Sequence, residues 1–213
     1  MQRMRFSLFS EIFFEVYHPD ALIEAYCFQN DFYRHYDLVK ERTISHVNKI
    51  GARIDQNVLE TKVMGRIDSI PMFHSSLEKF IKFEDKIRSA WIEDLCHVVD
   101  KLLTVDGIGF SKSTKILHTF YPQIIPMIDN PLQQEYQQLK EWKPGNWKQL
   151  FMDYYDNFRL VKETYSNLLK LHKHLSHLGL TKVRIFDILW WSYLKAKSLK
   201  VEMGINWSTI KFA

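Results

Sequence analysis

Residues 102–117 read Leu102-Leu103-Thr104-Val105-Asp106-Gly107-Ile108-Gly109-Phe110-Ser111-Lys112-Ser113-Thr114-Lys115-Ile116-Leu117. The stretch is an apolar helix end, a tight Gly-Ile-Gly turn and a second helix that starts at once. The two glycines allow positive φ and let a foreign group come close to the main chain. Amides of the turn and of the opening helix then point outward together, a nest with partial positive charge that suits a phosphate. Lys112 and Lys115 stand beside it. Ile108, between the glycines, is expected to plug the turn into the core. Leu102 and Val105 lie on the inward side of the first helix, Ser113 is small where the helices approach, and Ile116 and Leu117 are apolar at the next inward turn.

Over residues 95–120 these offsets make a helix-hairpin-helix, a motif that grips the nucleic-acid backbone without reading sequence. In that reading Gly107, Ile108 and Gly109 supply amides to a DNA phosphate, Ser111 lies on the first turn behind them, and Lys112 and Lys115 add charge. Gly-x-Gly between two helices also serves as a plain tight connection, so a ligand-free turn stands as the alternative.

The chain has 213 residues, enough for one large domain or two small lobes with an ample core. Aromatic residues make up 15%, which argues for a packed globule and against disorder. Only 7 glycines and 6 prolines leave little punctuation for a many-stranded sandwich, so the expected class is all-α. Residues 1–139 carry 16 Lys and Arg against 19 Asp and Glu, whereas residues 140–213 carry 13 against 6. A basic final third suits an anionic partner such as nucleic acid, or is simply a solvated lysine-rich surface. Cys27 and Cys96 are the only cysteines, too few for a disulfide framework or a four-thiolate cluster. No stretch approaches the ~20 apolar residues of a membrane span, and no signal peptide is apparent. A soluble, cytoplasmic protein with no membrane partner is expected.

Along the chain, the aromatic residues between 6 and 40 have mostly helical spacing, with a break at His18-Pro19-Asp20 and a helix from Ala21. Helical spacing recurs over Thr43–Ile54, in one helix holding Leu77 to Ile87, and in another from Trp91 to Leu102 that enters the hairpin. After Phe120 comes an extended apolar link, residues 121–128, in which Pro122 and Pro126 bias their predecessors away from helix. Asp129-Asn130-Pro131 is a helix start. Helices are expected over Leu132–Trp142, Trp147–Tyr155, Leu160–Leu178 with Gly179 as its C-cap, and Val183–Leu199. The whole, residues 1–213, reads as one helical unit or a unit of two lobes. Residues 1–75 carry no functional motif.

From Leu103 to Asp129 the chain resembles the helix-hairpin-helix DNA glycosylase superfamily. In those enzymes a Gly-hydrophobic-Gly hairpin leads through a proline-containing apolar link to an aspartate. Here Gly107-Ile108-Gly109 leads through Pro122 and Pro126 to Asp129, twenty residues after Gly109, and the match covers under a fifth of the chain. The resemblance implies a catalytic role for Asp129, facing a nucleotide flipped from the duplex and stabilising an oxocarbenium sugar or activating the attacking group. Asp129 is equally a ready helix N-cap. Members that also cut the backbone use a hairpin lysine as Schiff-base nucleophile, and that position is Ser111 here, so the resemblance implies at most base excision without strand cleavage. The implied alternatives are a DNA-binding relative without chemistry and a helical protein-interaction module.

Elsewhere, Trp190 and Trp191 read as core aromatics or as a stacking surface for a base, and Arg184 and Asp187 are spaced for a same-face ion pair. His172, His174 and His177 cluster, but only His174 and His177 share a helix face. Zinc wants three or four convergent ligands, so a solvated histidine face is expected and neither metal nor cofactor. No phosphate loop, nucleophile elbow or dinucleotide fingerprint occurs.

Overall fold

Met4, Phe6 and Leu8 alternate with Arg3, Arg5 and Ser7, and the computed structural model folds Arg3–Leu8 as a strand, β1. The structure describes residues 3–29, 46–67, 76–140, 143 and 145–198. β2, Ile12–Tyr17, pairs antiparallel with β1 in the register Phe6 to Phe14 and Arg3 to Tyr17. The helix expected over these residues does not form. The aromatic spacing fits both periods, and the turn that decides, with Phe9 at φ 58° and Ser10 at φ 67°, contains no glycine to announce it. The remainder is helical, so the mostly α class holds with one small hairpin added.

Chain contacts divide the structure into two compact units, residues 1–38 with 153–213 and residues 39–152. The first holds the β-hairpin, α1 (Pro19–Gln29) and the helices at the end of the chain. The second holds α2 (His46–Lys49), α3 (Gln56–Val58) running through a π-turn (Leu59–Val63) into α4 (Met64–Ile67), α5 (Leu77–Phe80), α6 (Asp85–Leu103), α7 (Phe110–Phe120) and α8 (Asn130–Lys140). The division falls inside α9 (Trp147–Arg159); α10 (Lys162–His174) and α11 (Lys182–Ser198) follow. The single helix expected from Leu77 to Ile87 is interrupted: the chain breaks after Phe80, and Ile87 belongs to α6. Of the Thr43–Ile54 helix only His46–Lys49 is helical among the described residues. The Leu199 end of the last expected helix and the Trp142 end of α8 lie outside the described residues. Among the described residues no helix is long and apolar enough to cross a membrane.

The first unit is built by packing amphipathic helices on the inner sheet face. Leu168, Leu171, Leu175 and Leu178 form a buried seam, and Gly179 ends it in the left-handed conformation at φ 68°. β1's outer edge is met by side chains. Ser7 N–H donates to Thr164 Oγ1 at 2.6 Å, and Asn167 Nδ2 donates to the Arg5 carbonyl at 2.9 Å. Thr181 caps α11, its Oγ1 accepting the Arg184 N–H at 3.1 Å. Trp190 is wholly buried against Phe9, Phe186 and Tyr154, the core reading of that residue, while Trp191 meets Tyr26 edge to face.

Arg184 and Asp187 are both buried. Arg184 Nη2 donates to Tyr26 Oη at 3.2 Å, and Asp187 Oδ1 accepts the Tyr154 hydroxyl at 2.8 Å. Burial, then the Asp187 charge, raise the Tyr154 phenol well above its ordinary range. A raised folded-state value makes this contribution complete below the ordinary tyrosine value of about 10 and erodes it as pH climbs past that point. Tyr154→Phe strips a donor from a buried carboxylate and should cost about 1–3 kcal/mol in urea unfolding at neutral pH. The alkaline loss of stability should be smaller in the variant than in the wild type.

Candidate nucleic-acid interface

α6 presents Trp91, Ile92, Leu95, Val98, Val99 and Leu102 inward and closes on a short turn. Val105 N–H bonds the Leu102 carbonyl and Ile108 N–H bonds the Val105 carbonyl, both at 3.0 Å. Ile108 is 5% exposed and plugs the turn into the core, as expected, and Ser113 is fully buried. The glycines differ in what they do. Gly107 has φ +78°, a conformation that favours glycine. Gly109 has φ −93° and ψ 179°, open to any residue, so the expectation that both glycines serve positive φ holds for Gly107 alone.

A Cβ at Gly109 would meet no atom within 4 Å. Neither conformation nor internal packing requires a glycine there. Gly109 is also the N-cap of α7 and has no side chain to cap with, so among the described residues no side chain caps the amides of Phe110, Ser111 and Lys112. Ser113 is the first residue whose N–H is held, by the Gly109 carbonyl at 3.0 Å. The macrodipole of α7 places partial positive charge at this open corner. Behind it, Phe110 stacks face to face on Trp147, ring centres 3.9 Å apart, which fixes where α7 begins.

Lys112 and Lys115 stay at the hairpin, but their ammonium groups bond main-chain oxygens. Lys112 Nζ lies 2.8 Å from the Gly107 carbonyl and 3.5 Å from that of Arg53. Lys115 Nζ lies 3.4 Å from the Gly51 carbonyl. Ser111 is half-buried, and its carbonyl accepts the Thr114 hydroxyl at 3.0 Å.

The link to Asp129 is buried through residues 124–128 without regular structure, so α7 supplies its partners. Thr114 Oγ1 accepts the Ile128 N–H at 3.1 Å and lies 3.4 Å from the Ile128 carbonyl. His118 Nδ1 is 2.6 Å from the Ile125 carbonyl. Asp129 is half-buried with its Oδ1 buried, and its carbonyl accepts the Gln133 N–H at 3.0 Å in the position preceding α8. The hairpin and the approach to Asp129 are therefore tied together through α7 within the second unit.

Other expected features lie apart from it. His174 Nε2 stands 3.5 Å from the half-buried Asp20, and His177 Nε2 stands 3.5 Å from the exposed Glu24, pairing α1 with the end of α10 and the turn after it. Among the described residues no three His, Cys, Asp or Glu side chains come together as a metal site. Burial pushes the Cys96 thiol up to about 12, with Asp100 adding to the effect.

A neighbouring loop carried one signal in the sequence, Gly51. Residues 51–54 turn through Gly51 at φ 77° and Arg53 at φ 52°. Asn48 holds the turn with both ends of its amide, Nδ2 to the Ile54 carbonyl at 2.7 Å and Oδ1 from the Ile54 N–H at 2.8 Å. Ala52 and Ile54 are buried, Arg53 between them is exposed, and α2 packs on α7. A left-handed arginine leaves no trace in residue spacing, although Gly51 was available as a turn marker.

Thr114→Val keeps the shape and removes the acceptor of a buried amide. It should lower stability by about 1–3 kcal/mol in urea unfolding, against well under half that for Thr→Val at an exposed position.

Comparison with protein-family models, with curated proteins and with solved structures finds no match for this chain.

Proposed function

We propose that this protein binds DNA through the backbone, with the Gly107–Gly109 turn and the first turn of α7 receiving a phosphate. The observation that carries this reading is Gly109. It has a conformation that any residue could adopt and open space where its side chain would be, yet it leaves the start of α7 uncapped. A serine there would cap the helix; glycine keeps three outward amides bare for an external oxygen. The contact is with the backbone, so binding is sequence-independent and strengthens as salt is lowered.

Gly109→Ser separates fold from function. The serine fits the backbone and supplies the missing cap, so thermal stability should be unchanged or raised by a few tenths of a kcal/mol. Affinity for duplex DNA should fall about tenfold or more, the size of a lost charged hydrogen bond. Fluorescence anisotropy with a labelled duplex at several salt concentrations checks this, and equal affinities for variant and wild type would sink the phosphate reading.

A base-excision reading is favoured by the bonds from Thr114 and His118, which hold the approach to Asp129 at a fixed offset from the hairpin. In it Asp129 stabilises the cationic sugar left as the base departs, and Ser111, having no amine, forms no Schiff base, so the strand stays intact. Asp129→Asn should keep duplex affinity and lose base release by about 10²-fold or more. A panel of damaged-base duplexes, treated with alkali to reveal abasic sites, gives the measurement. Release by the wild type with no loss in the variant would remove Asp129 from the chemistry.

A further inference from the structure

The two edges of the β-hairpin are treated differently. Ser7 gives its amide to Thr164 Oγ1, and Arg5 accepts Asn167 Nδ2 on its carbonyl, so both groups point away from β2. In an antiparallel pair each residue turns its N–H and C=O to the same side. Residues directly opposite one another turn theirs either both inward or both outward. Arg5 lies opposite Glu15, Ser7 opposite Phe13 and Arg3 opposite Tyr17. Phe13, Glu15 and Tyr17 therefore present their N–H and C=O groups on the far edge of β2. Among the described residues none of these main-chain groups has a hydrogen-bond partner. Proteins commonly blunt such an edge with proline, lysine or a bulge. β2 reads Ile-Phe-Phe-Glu-Val-Tyr and pairs residue for residue with β1, so it has none of the three.

We infer that the outer edge of β2 receives an extended segment of another protein as a third strand, with a lysine or arginine of that segment facing Glu15. An extended backbone alone matches donors and acceptors repeating at every second residue. Apolar residues of the incoming strand would lie beside Phe13 and Tyr17. Glu15 is the only charged side chain among the three outward residues, and it remains 36% exposed. The arginines of β1 stand one strand further from the incoming segment. Arg3 bonds Glu15 from that side at 3.0 Å, and the Arg5 guanidinium lies over the Phe13 ring at 3.9 Å. A residue directly opposite Glu15 is nearer, about 5 Å away between Cβ atoms, so the carboxylate sets the preferred charge. A second copy of this chain is the poorer occupant. The antiparallel register that uses every outward group sets Phe13 against Tyr17 and Glu15 against its own counterpart, which places like charges face to face. This surface belongs to the first unit and owes nothing to the turn at Gly107.

The test uses the full chain and the end-blocked peptide Lys-Thr-Val-Thr-Lys-Thr-Val-Thr-Lys, with amide hydrogen exchange read residue by residue by NMR. In the free protein the amides of Phe13, Glu15 and Tyr17 should exchange freely, while those of Phe14 and Val16, turned toward β1, are protected. Saturating peptide should slow the three outward amides about tenfold or more. A peptide with glutamate at its centre should bind about twofold to fivefold more weakly, the size of one cross-strand charge pair. Glu15→Lys should reverse that preference. Glu15→Pro removes one outward N–H and keeps the groups that pair with β1, so affinity should fall about tenfold. Outward amides already protected in the dilute free protein would overturn the inference, as would no added protection at millimolar peptide. Protection that grows with protein concentration alone would give the edge to a second copy and overturn it too. Equal binding by a peptide N-methylated at both valines would show that the contact is not strand pairing. Equal binding of the lysine and glutamate peptides would overturn the assignment of the facing residue.

Discussion

Backbone that is buried but not helical must find hydrogen-bond partners, and the protein meets that requirement with helix side chains. Residues 124–128 are buried with no ladder of their own, and Thr114 and His118 on α7 reach across to Ile128 and Ile125. The edge of β1 that β2 does not pair poses the same problem, answered by Thr164 and Asn167 from α10. The loop before α3 is answered by Asn48. In each case a short polar side chain on a helix fixes an irregular segment whose position matters. The start of α7 goes without such a partner, as do the starts of α5, α6 and α10, and at α7 the cap position holds a glycine.

That contrast separates the two glycines of the hairpin. Gly107 is a backbone requirement, set by its positive φ, and a turn of this kind needs it whether or not a ligand exists. Gly109 has no internal justification, because its dihedrals are ordinary and the space around a Cβ is empty. The electrostatics around them are likewise divided. Lys112 and Lys115 bond carbonyl oxygens of the hairpin and of the loop at Gly51, which ties the two segments together and leaves each ammonium its positive charge. The dipole of α7 supplies positive potential at the corner itself.

Much of the helical part was legible because apolar residues three and four apart mark a buried face, as the Leu168 to Leu178 seam shows. The helix–turn–helix around Gly107 and the cap position of Asp129 were equally readable, since glycine and proline punctuate both. The β-hairpin was not. Phe6, Phe9, Phe13, Phe14 and Tyr17 fit a helical period well, and the alternation of Met4, Phe6 and Leu8 was too short to outvote them. The break between Phe80 and Asp85 lacked any glycine or proline. Lysine spacing could place Lys112 and Lys115 at the hairpin but not say what their ammonium groups would touch, because the answer lies some sixty residues upstream, at Gly51 and Arg53. The burial of Arg184 and Asp187 was hidden for the same reason: their partners Tyr26 and Tyr154 are distant in the chain.

The stacking of Phe110 on Trp147 has an optical consequence. Phe110 opens α7, and the indole lies nearly parallel to its ring, 9° apart in plane and 3.9 Å between centres. An indole's emission follows the local electric field and solvent exposure, and this one sits directly behind the corner where the helix dipole emerges. The protein thus carries a native fluorophore at its own candidate interface. An anion held at the Gly109 corner would shift the emission of this indole without any label.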